Sequence, residues 1–273
     1  VATRSAIESY ESLPTQLTAP PLPQRSRILA NDGSVLATIY EQNRIEVPLS
    51  EISPVMQQAI VAVEDGRFYE HRGVDPRGLI RAFVGNSAGE GSVQGGSTLT
   101  QQYVKNALLG DDETLSRKLE EAALSMEIER TYSKERILEL YLNTVYFGNG
   151  ASGIEAAANT YFGVSSNELN LTQAAMLAGI VQSPSLHDPY KHAKNAKQRR
   201  DTVLRAMLDE GYISPTTAKQ AEAAALGVIP KGQRPGEAAY PAGHFVSEVR
   251  EWFLDNPEFG TTRAERAELL YGG

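Results

Sequence analysis

Residues 59–73 read AIVAVEDGRFYEHRG, an apolar helical run that ends on two adjacent carboxylates, Glu64 and Asp65. Upstream, Ser53 and Pro54 are residue types of an N-cap and a first helical position, and apolar side chains recur at Val55, Met56, Ala59, Ile60 and Val63. The spacing predicts a helix over 54–65 with one buried face, closed by Gly66. Glu64 follows Ile60 by four residues and Val61 by three, so its carboxylate extends the apolar stripe instead of facing solvent. Burial disfavours a charged carboxylate and the neighbouring Asp65 disfavours it further, which makes Glu64 a candidate base poised near neutral pH. The residue would serve equally well as a helix-end glutamate held by Arg67 or Arg72. This segment alone does not choose.

Composition narrows the field around that pair. The 273 residues are 41% hydrophobic and 22% charged, enough for one sizeable core with appendages or two small domains. A net charge of −8 argues against a general nucleic-acid binder, which carries a basic footprint. One basic run, 191–205, follows a helical pattern with Val203, Leu204, Met207 and Leu208 and reads as a solvated helix face. Cysteine is absent, which excludes disulfides, zinc–thiolate sites and cysteine nucleophiles. No apolar window approaches the roughly 18 residues of a membrane span.

The organisation follows from punctuation and period. Residues 1–23 are polar and end in the cluster Pro20, Pro21 and Pro23, a lead-in or linker. Segments 27–30 and 35–40 flank Asn31, Asp32 and Gly33 and predict a β-hairpin within 24–50, to which 44–47 adds a third short strand. Helices are predicted near 54–65, 76–85, 98–108, 115–131, 134–145, 152–160, 171–181, 193–210 and 215–226, so that 51–228 forms a mainly α domain. Ser133 and Ser214 serve as N-caps, Pro215 as a first helical residue, and Gly211 and Gly227 as C-caps. The segment 229–273 reads as a linker with one helix around Trp252, leading toward a missing C-terminal domain.

Three further clusters carry chemistry. Residues 95–106, GGSTLTQQYVKN, set glycines and hydroxyls before a helix start, an arrangement suited to a phosphate through free N–H groups and Lys105. A plain capping box of Thr98 with Gln101 would use some of the same residues. Arg117, Lys118, Glu120 and Glu121 open a helix with apolar residues on two faces, Leu119, Ala123 and Met126 on one and Leu124 and Ile128 on the other, which predicts a central helix whose charges line a cavity. Residues 134–143, KERILELYLN, direct Ile137, Leu138, Tyr141 and Leu142 inward and place Glu139 and Asn143 on another face. The turns in YFGNG (146–150) and AAANTYFG (156–163) frame a cleft. His71 follows the acidic pair closely and suits a structural hydrogen bond.

Taken in order, EDGRFYEHRG, GGSTLTQQYVKN, RKLEE and KERILELYLN resemble the successive signatures of the family 51 glycosyltransferases, the peptidoglycan-polymerising domains of class A penicillin-binding proteins and monofunctional transglycosylases. LTQAAMLAGIVQSPSLHDP with AKQRRDTVLRAM resembles the last block, and coverage runs from about residue 40 to 228. The resemblance implies a lysozyme-like helical fold with a membrane-associated jaw around 74–93. There Leu79, Ile80, Phe83 and Val84 form an apolar face and Arg77 and Arg81 another.

By the same resemblance, Glu64 is the catalytic base that deprotonates the acceptor sugar 4-hydroxyl, and Glu121 is the second acidic position. Lys105, Arg117 and Lys118 match basic positions near the lipid pyrophosphate. Asp65, His71, Gly96, Ser97, Thr98, Gln101, Gln102, Asn106, Lys134, Glu139 and Asn143 complete the candidate substrate-binding set. The implied partners are lipid II, the growing glycan, the membrane surface through the jaw, a cell-wall synthesis complex, and moenomycin as inhibitor. A divalent cation, Mg or Mn, is the one implied cofactor. The implied location is the extracytoplasmic face of the bacterial plasma membrane, behind an N-terminal membrane anchor.

Glu113 stands where many members carry arginine, and Gln173 where many are acidic. No Ser-x-x-Lys or Lys-Thr-Gly motif of a penicillin-sensitive transpeptidase occurs. Two other readings share the residues: a lysozyme-like glycan-cleaving enzyme, which gives no reason for the phosphate-suited loop, and a catalytically silent scaffold or lipid-binding domain.

Overall fold

The computed structural model describes residues 22–40, 42–78, 96–109, 114–231 and 243–272. Helix α1, Pro54–Glu64, lies at its centre, with Met56, Ala59, Ile60, Val61 and Ala62 all buried. Proline at the first helical position agrees with the expected start, but Ser53 does not cap with its side chain; its hydroxyl donates instead to the Leu169 carbonyl at 2.9 Å. The helix ends at Glu64, with Asp65 already out of helical geometry, one residue before the expected stop at Gly66.

Helix α2 (Leu99–Val104) runs on into a π-helical turn, Lys105–Leu109, and is followed by α3 (Leu115–Thr131), α4 (Lys134–Thr144) and α5 (Ile154–Phe162). Next come α6 (Leu171–Ile180), α7 (Ala193–Asp209) and α8 (Pro215–Ala223). Helix α6 is apolar almost all round and correspondingly buried from Ala174 to Ile180. It packs against both α1 and α7, while α2 joins the core through α3 and α4. Ser133 and Ser214 cap α4 and α8 as expected. Gln173 forms a reciprocal capping box with Asn170, which accounts for an amide at that position.

Several expectations are corrected. Residues 44–47 form no strand, because Arg44 is drawn inward to the carbonyls of Pro23 and Thr144, and Val47 pairs with the Asn143 amide instead of a neighbouring strand. Helix α3 is not central: Leu124 and Ile128 are buried, but Leu119 and Met126 are about half exposed. The aromatics of 146–163 brace the body more than they line a cleft, since Tyr161 is buried, donates to the Phe147 carbonyl at 2.8 Å and stacks on Tyr190. The run 191–205 is not wholly solvated either. Arg199 and Arg200 fall three and four residues after Ala196 and before Val203 and Leu204, on the buried side of α7. Of the helix expected over 76–85 only 76–78 is described, so most of it, with most of the expected jaw, lies outside the described residues.

The hairpin forms from β1 (Ser26–Leu29) and β2 (Val35–Ile39), antiparallel, around a turn in which Gly33 takes a positive φ and Asp32 accepts from the Ser34 N–H. It packs on α9 (Gly243–Asp255) and α10 (Arg263–Gly272), where Ile39, Leu254 and Leu270 make a second small core. The helix around Trp252 is thus present, and α10 is an element that the sequence pattern did not predict. No helix among the described residues is long and apolar enough to cross a membrane.

Arg200 is 0% exposed, and its guanidinium donates to the carbonyls of Glu222 at 2.8 Å, in the last turn of α8, and Ala224 at 2.7 Å, just after it, with Asp201 as counter-ion. Truncation leaves the Ala224 carbonyl without this donor, whereas the Glu222 carbonyl keeps Lys197 Nζ at 2.9 Å. Arg200→Met should lower unfolding free energy by about 2–4 kcal/mol, read by chemical denaturation; a change below about 0.5 kcal/mol would show that the cap is dispensable.

Candidate active site

Because α1 ends where its buried face ends, it delivers Glu64 to the edge of the core, where the side chain is only 12% exposed. One carboxylate oxygen accepts from Gln102 Nε2 at 2.9 Å, and the other lies 3.5 Å from Arg199 Nη2. Gln102 is itself fixed by Tyr141, whose hydroxyl donates to the amide oxygen at 2.9 Å. Burial pushes the Glu64 carboxyl above the ordinary glutamate range; Gln102 and Arg199 pull it down, and Asp65 adds to the rise. Arg67 and Arg72, the partners of the ordinary helix-end reading, do not reach Glu64, for Arg67 pairs with Asp75 and Glu70.

Arg199 is the site residue that sequence reasoning missed. Its stem crosses α6 at Gly179, where an added Cβ would come within 3.0 Å of Arg199 Cγ, and its Nε donates to the Gly179 carbonyl at 3.4 Å. The signal was present in the register with Ala196 and Val203, but it was outweighed by the run of surrounding charges.

Asp65 has the opposite environment. Its carboxylate accepts from the Leu99 N–H at 3.0 Å and meets His71 Nε2 at 2.9 and 3.0 Å. The first turn of α2 therefore does hold an anion, but that anion is the protein's own. Thr98 and Gln101 complete the reciprocal capping box, so these two residues of the expected phosphate loop are engaged in starting the helix. Thr98 also donates to the Gly73 carbonyl at 2.6 Å, and Gly73 needs its lack of side chain: φ is +87°, and a Cβ would meet the Ser125 backbone at 2.7 Å. That contact seats the middle of α3 against the loop.

A small polar hollow opens between these pieces, lined by Glu64, Asp65, Gly96, Ser97, Thr98 and, from the far side, Asp75 and Glu210. It brings residues of the first two motifs to one surface. The other candidates stand elsewhere. Glu121, buried on α3, is bound by Lys118 Nζ at 3.0 Å to each oxygen, and Arg117 faces Glu120 at 3.8 Å. Lys105 and Asn106 occupy the π-helical turn, with Asn106 exposed. Lys134 is held by Glu129 at 2.7 Å, over the Phe68 ring, and Glu129 also accepts from Thr100.

Glu139 and Asn143 are both engaged by the protein's own backbone. Glu139 accepts from the Leu49 N–H, and both ends of the Asn143 amide bond Val47, so they fasten the 47–49 backbone to α4. Among the described residues no three acidic or histidine side chains converge as metal ligands. Of the carboxylates bordering the hollow with Glu64, Asp65 and Asp75 already face protein donors.

A buried helix-end glutamate thus stands beside a loop of small hydroxyl residues in a mainly helical body with a two-stranded sheet. The chain belongs to the transglycosylase family, which matches over residues 32–208. It is 42% identical over 208 residues to penicillin-binding protein 1F of Bacillus subtilis, covering 76% of this chain and 29% of that protein. It is also 42% identical over 246 residues to penicillin-binding protein 1A of Escherichia coli, covering 90% and 28%. The crystal structure of penicillin-binding protein 1A from Haemophilus influenzae superposes with a TM-score of 0.51 at 25% identity, covering 90% of this chain and 26% of that one. The chain thus spans under a third of the length of these relatives.

The raised Glu64 carboxyl has a consequence for stability. Folding favours its protonated form, so its contribution is complete below the unfolded value of 4.5 and is lost as pH rises through the folded value. Melting temperatures taken from about pH 4 to pH 8 should fall more steeply for wild type than for Glu64→Gln; parallel profiles would remove burial as the dominant influence.

Proposed function

We propose that this domain is a peptidoglycan glycosyltransferase that polymerises lipid II into β-1,4-linked glycan with release of undecaprenyl pyrophosphate. The observation that carries the reading is Glu64: a carboxylate with raised proton affinity, inside the family-matched segment, opening on a hollow rimmed by Ser97 and Thr98. Glu64 takes the proton of the acceptor 4-hydroxyl as that oxygen bonds to the donor's anomeric carbon. The bond from that carbon to the diphosphate breaks, and its electron pair leaves with the lipid diphosphate. Attack opposite the leaving group inverts the α-linked donor to a β product. Such base catalysis typically supplies about 10²–10⁴-fold.

Two features support Glu64 over Asp65 as the base. Asp65 is occupied by a backbone N–H and His71, whereas Glu64 is held by neutral Gln102 and a longer contact to Arg199. Strong fixed donors stabilise a carboxylate and weaken it as a base. Arg199 favours the ionised form of Glu64, against the larger effect of burial, without a close bidentate grip. Lys105, Arg117 and Lys118 supply positive charge for the departing diphosphate, and moenomycin competes with the donor.

Incubation with lipid II in detergent should yield polymeric glycan, and Glu64→Gln should reduce it at least about 100-fold with the melting transition retained. Polymer formation by Glu64→Gln at the wild-type rate would overturn the assignment. Lys105→Ala and Arg117→Ala should raise the KM for donor several-fold more than that for acceptor; equal losses would separate these cations from the diphosphate.

A further inference from the structure

We infer that Tyr141 is a positioning residue that, through Gln102, holds Glu64 in its ionised, proton-accepting form. The inference rests on Glu64 acting as the base. It starts from a linear chain across three helices: Tyr141 on α4 donates to Gln102 Oε1, and Gln102 Nε2 on α2 donates to Glu64 on α1, each at 2.9 Å. An amide has two nearly isosteric orientations, and only one of them offers N–H to Glu64. Turned the other way, its carbonyl would face the carboxylate and favour the protonated acid.

Tyr141 decides between the two. It is 0% exposed, and among the described residues Gln102 Oε1 is the only acceptor recorded for its hydroxyl. A flipped amide would leave a buried O–H donor without an acceptor, a penalty of about 1–3 kcal/mol, so the orientation that serves Glu64⁻ is favoured. Burial first, and the Glu64 charge second, hold the phenol well above its ordinary range, so it remains a hydroxyl donor wherever the base operates.

Other groups around Glu64 act directly and do not replace this control. Arg199 approaches from α7, with His187 facing Arg199 in turn. Asp65, Asp75 and Glu210 border the hollow, with Arg67 paired to Asp75. None of them is recorded as bonding the Gln102 amide. Tyr141→Phe therefore removes the orienting hydroxyl while keeping the ring that fills the core.

The test reads Glu64 itself, by carboxyl-carbon NMR titration of the protein without substrate, alongside the acid limb of the pH–rate profile for lipid II polymerisation. Tyr141→Phe should move the Glu64 titration upward by about one pH unit, and the acid limb with it. Gln102→Leu should move it in the same direction, and the double variant should move it no further than Gln102→Leu alone. An unshifted titration in folded Tyr141→Phe overturns the inference; should that variant not fold, an unshifted titration in Gln102→Leu does so. Failure of the parent reading is separate, because it would appear as polymerisation by Glu64→Gln whatever Tyr141 does.

Discussion

The carboxylate of Asp65 sets the frame on which the site depends. It joins the end of α1 to the first turn of α2, 34 residues later, by accepting the Leu99 N–H, and the same group takes His71. A charge-assisted bond at a helix start contributes more than an exposed ion pair, which typically yields 0–1 kcal/mol. Once that joint is made, the position of Gln102, one turn along α2, is determined, and so is the bond it offers to Glu64. His71, Glu129, Thr100 and Lys134 extend the joint into α3 and α4.

Adjacent carboxylates thus differ through their surroundings. Asp65 receives a backbone donor and an imidazole, and becomes a structural anion. Glu64, one residue earlier, is withdrawn from water and receives one neutral amide with a cation at 3.5 Å. Burial raises the proton affinity of Glu64, which suits it to take a proton. Glu121 is a third case: its own Lys118 binds both oxygens, so its charge is already neutralised within α3.

Much of the fold was legible because local rules decided it. Caps at Ser133 and Ser214, proline at 54 and 215, and the unbroken apolar stretch of α6 fixed where these helices start, and all end within a residue of expectation except α8, which stops at Ala223, three residues before the expected end ahead of Gly227. The misses share a cause. Whether Gln101 or Gln102 reaches Glu64, or whether Asn143 meets substrate or Val47, depends on contacts between residues about 40 to 100 positions apart, which no local period encodes. Helix α3 misled for a related reason: its two apolar faces are real, but only one has a neighbour. Arg199 and Arg200 were hidden by composition, since a charged run looks solvated until its register with Ala196 and Val203 is counted.

The second small core has a mechanical meaning. Gln24, just before β1, donates its N–H to the Gly272 carbonyl at the end of α10, so the first and last described segments are stapled beside one another. Tension applied between them would load the patch formed by Ile39, Leu254 and Leu270 and bypass the helices that carry Glu64. The helical body between them is thereby closed into a loop.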